Sequence, residues 1–346
     1  MMKFVFISIL LLLTFAGCQK HEKSTNSDIT LSGMIATFPR PLYNILFSNY
    51  SKSTGRNVIA NAYNSEASIR ALQDKTVDFA GTDALPSDEE YSQFDSEILT
   101  IPACLGAIAI TYNIPGISNL NLSGPVLADI YLQNIKYWDD PAIQSINSEI
   151  NLPHKAITTI HRADGSGASY VFSDYLCKVS SKWKEEMGKG KSLNWKNGVA
   201  VRGCLMVAGS VAEIEGSIGY TSWEHTVLLN ISIANICNSK GNYIQISKES
   251  ILAAADRDYP DDLRVMITNS SNEKAYPISC FSWILVYKNQ AYANRKVPKY
   301  EATKSLLNYI IDPENQKMAA KMQYVPLPQN VTDKAQKLVD SMEWTK

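Results

Sequence analysis

Apolar positions along the chain follow two alternating rhythms. Segments at 57–62, 77–81, 106–112, 157–161, 217–220 and 283–287 read as strands, several of them with the continuous apolar runs of buried parallel strands. Between them, apolar residues recur at helical spacing. Over 41–53, Leu42, Ile45, Leu46 and Tyr50 share one face, and over 65–74 Ile69 and Leu72 do so. Val126, Leu127, Ile130 and Tyr131 repeat the pattern, and Asp140-Pro141 predicts an N-cap followed by a first-turn proline. Near the end, Thr332 predicts the cap of a helix bearing Ala335, Leu338, Val339 and Met342. Strands alternating with helices predict an α/β fold built on mainly parallel sheets. No repeat of about 20–50 residues interrupts this order.

The first residues carry an address. Lys3 precedes an apolar run over 4–13, and the small residues Ala16 and Gly17 then lead to Cys18. Residues 1–17 read as a signal peptide, too short in its apolar part to remain as a membrane anchor. Phe15-Ala16-Gly17-Cys18 resembles a bacterial lipobox, with Phe15 standing where Leu is usual. Cys18 is therefore expected to be acylated and to become the mature N-terminus. Plain secretion with cleavage nearby is the alternative. Residues 18–28 are polar and suit a lipid tether. The expected location is the periplasmic side of a bacterial envelope, lipid-anchored, or the periplasm itself if Cys18 is unmodified.

Composition narrows the function. Among 346 residues, 33 Lys and Arg face 34 Asp and Glu, for a formal charge of -1. That balance offers no basic excess for a phosphodiester backbone, so nucleic acid is not an expected partner. Cys104, Cys177, Cys204, Cys237 and Cys280 remain beyond the lipobox, an odd set without a Cys-x-x-Cys spacing. They read as buried free thiols, with a structural bridge open to an exported protein. Zinc and other metal sites are not expected, nor is any organic cofactor. His161, Asp164 and Ser166 invite comparison with a serine hydrolase, yet Ser166 lacks the Gly-x-Ser-x-Gly setting. His161 and Arg162, adjacent on a strand, point to opposite faces. The neighbouring carboxylates Asp139-Asp140 and Asp261-Asp262 read as caps or loop charges. Catalysis is not expected.

Three segments share one design, a strand or turn leading through small or hydroxyl residues into a helix. They are Ala36-Thr37-Phe38-Pro39, Asn64-Ser65-Glu66-Ala67 and Arg162-Ala163-Asp164-Gly165-Ser166-Gly167. Each predicts free backbone N–H groups and a hydroxyl at a helix start, where oxyanions bind. Singly, each hydroxyl is equally a helix cap. No Gly-Lys-Ser/Thr run points to a nucleotide.

Through these segments the chain resembles the phosphate-binding proteins that feed bacterial ABC-type phosphate importers. The match is strongest at 162–167 with the following Tyr170-Val171-Phe172. It extends in order through 33–39, 76–84, 113–116, 129–132, 136–140, 216–220 and 276–278. The resemblance implies a two-lobed periplasmic binding protein fold, type II-like, with phosphate in the cleft between domains. The first domain would comprise 29–112 and 277–346, and the second 113–276. It also implies a monomer that delivers hydrogen phosphate to a membrane ABC permease.

The resemblance assigns the ligand contacts as well. Arg162 would grip the oxyanion, with Asp164 fixing its guanidinium. Ser166, Gly167 and Ala168 would offer a hydroxyl and N–H groups from one lobe, and Thr37, Phe38 and Ser65 from the other. Asp83 would accept the proton of hydrogen phosphate, a bond that fully ionised sulfate cannot make; its alternative is a turn residue after a strand. Three departures stand out: Ala168 where Thr is common, Glu66 in a usually small segment, and 198–210 without the usual polar glycine-rich loop. Glu66 is expected to point outward, and Arg202 is either an extra contact or surface. A binding protein for another oxyanion, or an exported phosphate sensor, remains the alternative function.

Overall fold

The computed structural model describes residues 29–345. The expected signal peptide, Cys18 and the expected tether lie outside the described residues. In chain order the elements begin β1 (Thr30–Ile35), α1 (Arg40–Thr54), β2 (Asn57–Ala62), α2 (Ser65–Gln73), β3 (Phe79–Thr82), α3 (Asp88–Ser92) and β4 (Ile98–Tyr112). They continue with β5 (Asn121–Leu122), α4 (Gly124–Tyr131), α5 (Pro141–Gln144), β6 (Thr158–Arg162), α6 (Gly167–Val179), α7 (Ser181–Glu186), β7 (Val199–Val201) and α8 (Cys204–Glu213). Then follow β8 (Ser217–Ser222), α9 (Trp223–Leu229), β9 (Ser232–Ile233), β10 (Asn235–Cys237), β11 (Tyr243–Ile244) and α10 (Lys248–Ala254). Last come β12 (Ser279–Tyr287), α11 (Val297–Ile311), α12 (Pro313–Ala320) and α13 (Gln329–Asp340).

The principal sheet runs β2-β1-β3-β12-β4-β8-β6-β7, and β9 also pairs with β4. Strand β4 joins its two halves. Residues 98–107 pair with β12, and from Ile108 onward the partner becomes β8. Two lobes therefore share one long strand, whose residues are buried throughout except at its first position. The outer pairings β1–β2, β1–β3, β6–β7 and β6–β8 are parallel. The central ones, β12–β3, β12–β4 and β4–β8, are antiparallel. This corrects the expectation of mainly parallel sheets: a chain that crosses between lobes on β4 and returns into β12 must traverse the centre in opposite directions.

Helices cover both halves. Helix α1 buries Leu42, Tyr43, Leu46, Phe47 and Tyr50. Ile45, expected on that face, is 37% exposed, because at helical spacing it lies beyond the edge of the arc that those five residues span. Helix α13 begins at Gln329 after Pro328, so Thr332 lies inside the first turns rather than at the cap, and its hydroxyl donates to the Pro328 carbonyl at 3.3 Å. Asp140 caps α5 as expected, accepting from Ala142 N at 2.9 Å. Among the described residues no helix is long and apolar enough to cross a membrane. All five cysteines of this region are free thiols, and Cys104, Cys204 and Cys280 are buried.

Candidate anion site between the lobes

Five parallel strand ends point into one cleft, the usual place for a ligand in open α/β sheets. From the first lobe, β1 leads to Thr37 and Phe38, β2 to Ser65, and β3 to Asp83. From the second lobe, β6 ends at Arg162 and leads to Ser166 and Gly167, while β7 leads to Cys204.

Arg162 and Asp164 form a bidentate pair, with Nε donating to Oδ1 at 2.7 Å and Nη2 to Oδ2 at 2.6 Å. Their side chains are only 2% and 8% exposed. Burial pushes the Asp164 carboxyl up, but the Arg162 guanidinium, with the Gly203 N–H and the Asn64 amide, holds it below the ordinary carboxylate range. The pair satisfies one edge of the guanidinium and leaves Nη1 turned toward Cys204 Sγ, 3.3 Å away. Ser166 is the N-cap of α6, its hydroxyl accepting from Ser169 N at 3.4 Å, so the first-turn N–H groups of Gly167 and Ala168 face the cleft end of the helix.

The opposite wall is built differently. Ser65 is the first residue of α2, whose cap is Asn64, and the Ser65 hydroxyl accepts from Asp83 N at 3.3 Å. Phe38 is locked below the cleft: its carbonyl accepts from Tyr324 Oη at 2.7 Å, and its ring lies against Gly106 so closely that a Cβ there would sit 2.4 Å from Cζ. Thr37 Oγ1 reaches Cys204 Sγ at 3.7 Å. Asp83 is 1% exposed, and its Oδ1 has no hydrogen-bond partner among the described residues. Burial pushes its carboxyl up to about 7, while the Ser282 hydroxyl and the Arg162 charge pull the other way. A buried carboxyl oxygen without a partner is an acceptor that a donor on a ligand can satisfy.

The lobes meet across this site. A Cβ on Gly167 would lie 2.4 Å from Ser65 Oγ and 2.8 Å from Asp83 Cβ, so only glycine permits the approach. Glu66 N donates to Gly165 O at 3.1 Å, and the exposed Glu66 carboxylate accepts from Ser192 Oγ at 3.2 Å. Glu66 thus bridges the lobes on the outside and does not enter the site. Arg202, exposed, donates from Nη1 to Tyr63 Oη at 3.3 Å. Lys191 pairs with Glu90 at 2.5 Å, and Arg264 lies over the Tyr91 ring at 3.5 Å.

His161 stays apart from this chemistry. Its ring stacks on Trp195 at 4.8 Å, and Nδ1 lies 3.3 Å from the Arg162 carbonyl. Two buried groups near the site escaped sequence reasoning. Cys204 follows a strand and opens a helix, the design of the three chosen segments, but carries a thiol in place of a hydroxyl. Glu224 is buried on α9, accepts from Ser222 Oγ at 2.6 Å and is pushed up to about 7 by burial, with the Asp83 charge adding to it. No local pattern marks it. Among the described residues no cluster of His, Cys, Asp and Glu is arranged to hold a metal ion.

Residues 21–314 match the model of a PBP superfamily domain. The phosphate-binding protein PstS of Pasteurella multocida is 36% identical over 314 residues, covering 89% of each chain. That of Haemophilus influenzae is 34% identical, covering 87% of this chain and 90% of its own. Among solved structures, a phosphate ABC transporter substrate-binding protein with bound phosphate from Clostridium perfringens superposes with a TM-score of 0.64 at 16% identity, over 86% of this chain and 100% of its own. A human phosphate binding apolipoprotein does so with a TM-score of 0.70 at 16% identity, over 89% and 93%. The two-lobed fold and the full-length similarity together place this chain in the PBP superfamily, in the family of the phosphate-binding proteins PstS.

Proposed function

We propose that the chain captures hydrogen phosphate between its lobes and presents it to a membrane ABC permease for uptake. The observation that carries this reading is Asp83, a buried carboxylate with an unpartnered oxygen, set in a site otherwise made of donors. Thr37, the Phe38 N–H and Ser65 would bind oxygens from the first lobe. Arg162, Ser166 and the N–H groups of Gly167 and Ala168 would bind them from the second. The P–O–H of the ligand would donate to Asp83. Residues 29–112 with 277–346 would move against 113–276, and the contacts of Glu90, Tyr91, Tyr63 and Glu66 across the cleft would favour closure. Export, acylation at Cys18 and a monomeric state complete the reading.

Calorimetric titration with phosphate, and separately with sulfate at matched ionic strength, tests it after unfolding and refolding to strip carried-over ligand. Tight one-to-one phosphate binding with no sulfate heat is expected. Asp83→Asn, which turns an acceptor into a mixed amide, should weaken phosphate and admit sulfate. If the variant binds phosphate normally and still ignores sulfate, Asp83 is not the discriminator. Radiolabelled fatty acid should label the exported chain and not its Cys18→Ala variant.

A further inference from the structure

We infer that Cys204 is a working part of the anion site, its thiol closing the space between Arg162 and Thr37 and facing the bound oxyanion. This rests on the reading of Arg162 as the phosphate-gripping residue. Cys204 is fully buried as the first residue of α8, behind Gly203, whose φ of +82° turns the chain from β7 into the helix. Its backbone is pinned by Thr221 Oγ1, which donates to the Cys204 carbonyl at 2.8 Å. Its Sγ then has two polar neighbours, one on each lobe: Arg162 Nη1 at 3.3 Å and Thr37 Oγ1 at 3.7 Å. Apart from the Asp164 pair, the sulfur is the Arg162 side chain's one hydrogen-bond partner among the described residues. Asp83, with its unpartnered Oδ1, lies near enough for its charge to act on the same thiol.

The chemistry of sulfur fits that position. A thioether or thiol sulfur accepts weakly, so it makes only a slight claim on Nη1 and yields that donor to an oxyanion. A carbonyl or carboxylate in its place would compete for the guanidinium. The S–H, in turn, is a weak donor that can rotate toward the ligand. Burial pushes the thiol up, with Arg162 opposing, so the group stays neutral and does not repel a dianion. The buried thiols Cys104 and Cys280 have no side-chain hydrogen bond to a guanidinium or hydroxyl among the described residues, and burial likewise pushes both up.

Thiol labelling of the full chain by a maleimide, read residue by residue by peptide mass mapping, tests the assignment alongside phosphate titration of Cys204→Ser and Cys204→Ala. Phosphate should slow labelling of Cys204 at least about tenfold and leave the half-buried Cys177 and Cys237 unchanged, and protein labelled at Cys204 should no longer bind phosphate. Cys204→Ala should weaken phosphate about five- to twentyfold, whereas Cys204→Ser should stay within about threefold of the parent. Wild-type affinity in Cys204→Ala, with labelling indifferent to phosphate, would overturn the inference. Arg162→Ala is the separate control: if it binds phosphate as the parent does, the site reading itself fails and the role of Cys204 falls with it.

Discussion

Gly167 offers the sharpest test of the closed site, because one methyl group can be placed against the opposite lobe. In Gly167→Ala the new Cβ would lie 2.4 Å from Ser65 Oγ, 2.8 Å from Asp83 Cβ and 3.0 Å from Asp83 Oδ2. Carbon atoms in contact prefer about 3.5–4 Å, so the lobes must part by roughly 1 Å. Ser65 can rotate its hydroxyl away, but Asp83 Cβ is tied to the backbone at the end of β3 and cannot. Overpacking of this kind costs about 1–3 kcal/mol. Both clashing partners belong to the other lobe, so the cost falls on the closed form and leaves the open form untouched. Phosphate affinity should therefore drop about 5- to 150-fold, measured by calorimetry, while the melting temperature of the phosphate-free protein moves little. Gly209→Ala is the control, since Gly209 lies inside α8 with open space around it. That change should leave binding intact and stabilise the helix by up to about 1 kcal/mol. If Gly167→Ala binds phosphate within about twofold of the parent, the lobes do not close on the ligand through this contact.

Other expectations follow from the same geometry. With Asp83 raised to about 7 in the fold, its contribution to stability is present below the unfolded value near 4 and is lost as pH rises through 7. Without phosphate, the unfolding free energy of Asp83→Asn should gain on the parent by at most about 1.4 kcal/mol per pH unit across that window; a pH-independent difference in urea titrations would show that the carboxyl titrates normally. Lys191→Ala removes the ion pair with Glu90 that joins the lobes, its side chains 11% and 20% exposed. It should weaken phosphate by about fivefold, roughly 1 kcal/mol for a partly screened pair, with the gap shrinking in high salt. Gln316 is buried, donates to Ala103 O and Ile310 O at 2.7 Å each, and accepts from Leu327 N at 3.0 Å. Gln316→Leu should cost about 3 kcal/mol in urea unfolding, because buried backbone groups lose their partners, and leave the phosphate affinity of the folded variant unchanged.

What was legible in the sequence depended on whether a feature was local. Strand β2 stands over the predicted 57–62 because its alternation and flanking residues are self-contained. For β4, the apolar run over 106–112 announces only the second half. Pro102 and Gly106 break the pattern earlier, yet Ile98–Tyr112 is one strand. The proline is accommodated by a bulge beside it: Ser282 and Trp283, consecutive on β12, pair with Cys104 and Pro102, which leaves Ala103 as the extra residue, and the partner strand that holds the two halves in line lies 180 residues away. Strand β1, with Ser32 and Gly33 among its apolar residues, shows no periodic signal; Gly33 is there because a Cβ would meet the Phe79 ring at 2.3 Å. The Arg162–Asp164 pair is visible because a single residue separates a guanidinium from its carboxylate at a strand end. Cys204 is not, since its role exists only through Arg162 and Thr37, each more than 40 positions distant.

The two walls of the cleft divide the work of recognition. The second lobe holds the full positive charge, but Asp164 already neutralises Arg162, so net charge does not explain retention of a dianion. What remains is directional: guanidinium and helix-start donors fixed by burial, where hydrogen bonds to a charged ligand are worth most and little reorganisation is needed. The first lobe supplies hydroxyls and one carboxylate, which adds nothing to attraction and would repel an ion lacking a proton. On the proposed reading, affinity would come mainly from the wall bearing Arg162 and selectivity from the wall bearing Asp83. Neither is complete until Gly167 comes to rest against Ser65 and Asp83. A ligand without a P–O–H would satisfy the wall bearing Arg162 but not the wall bearing Asp83, and the lobes would then gain too little from closing to stay shut.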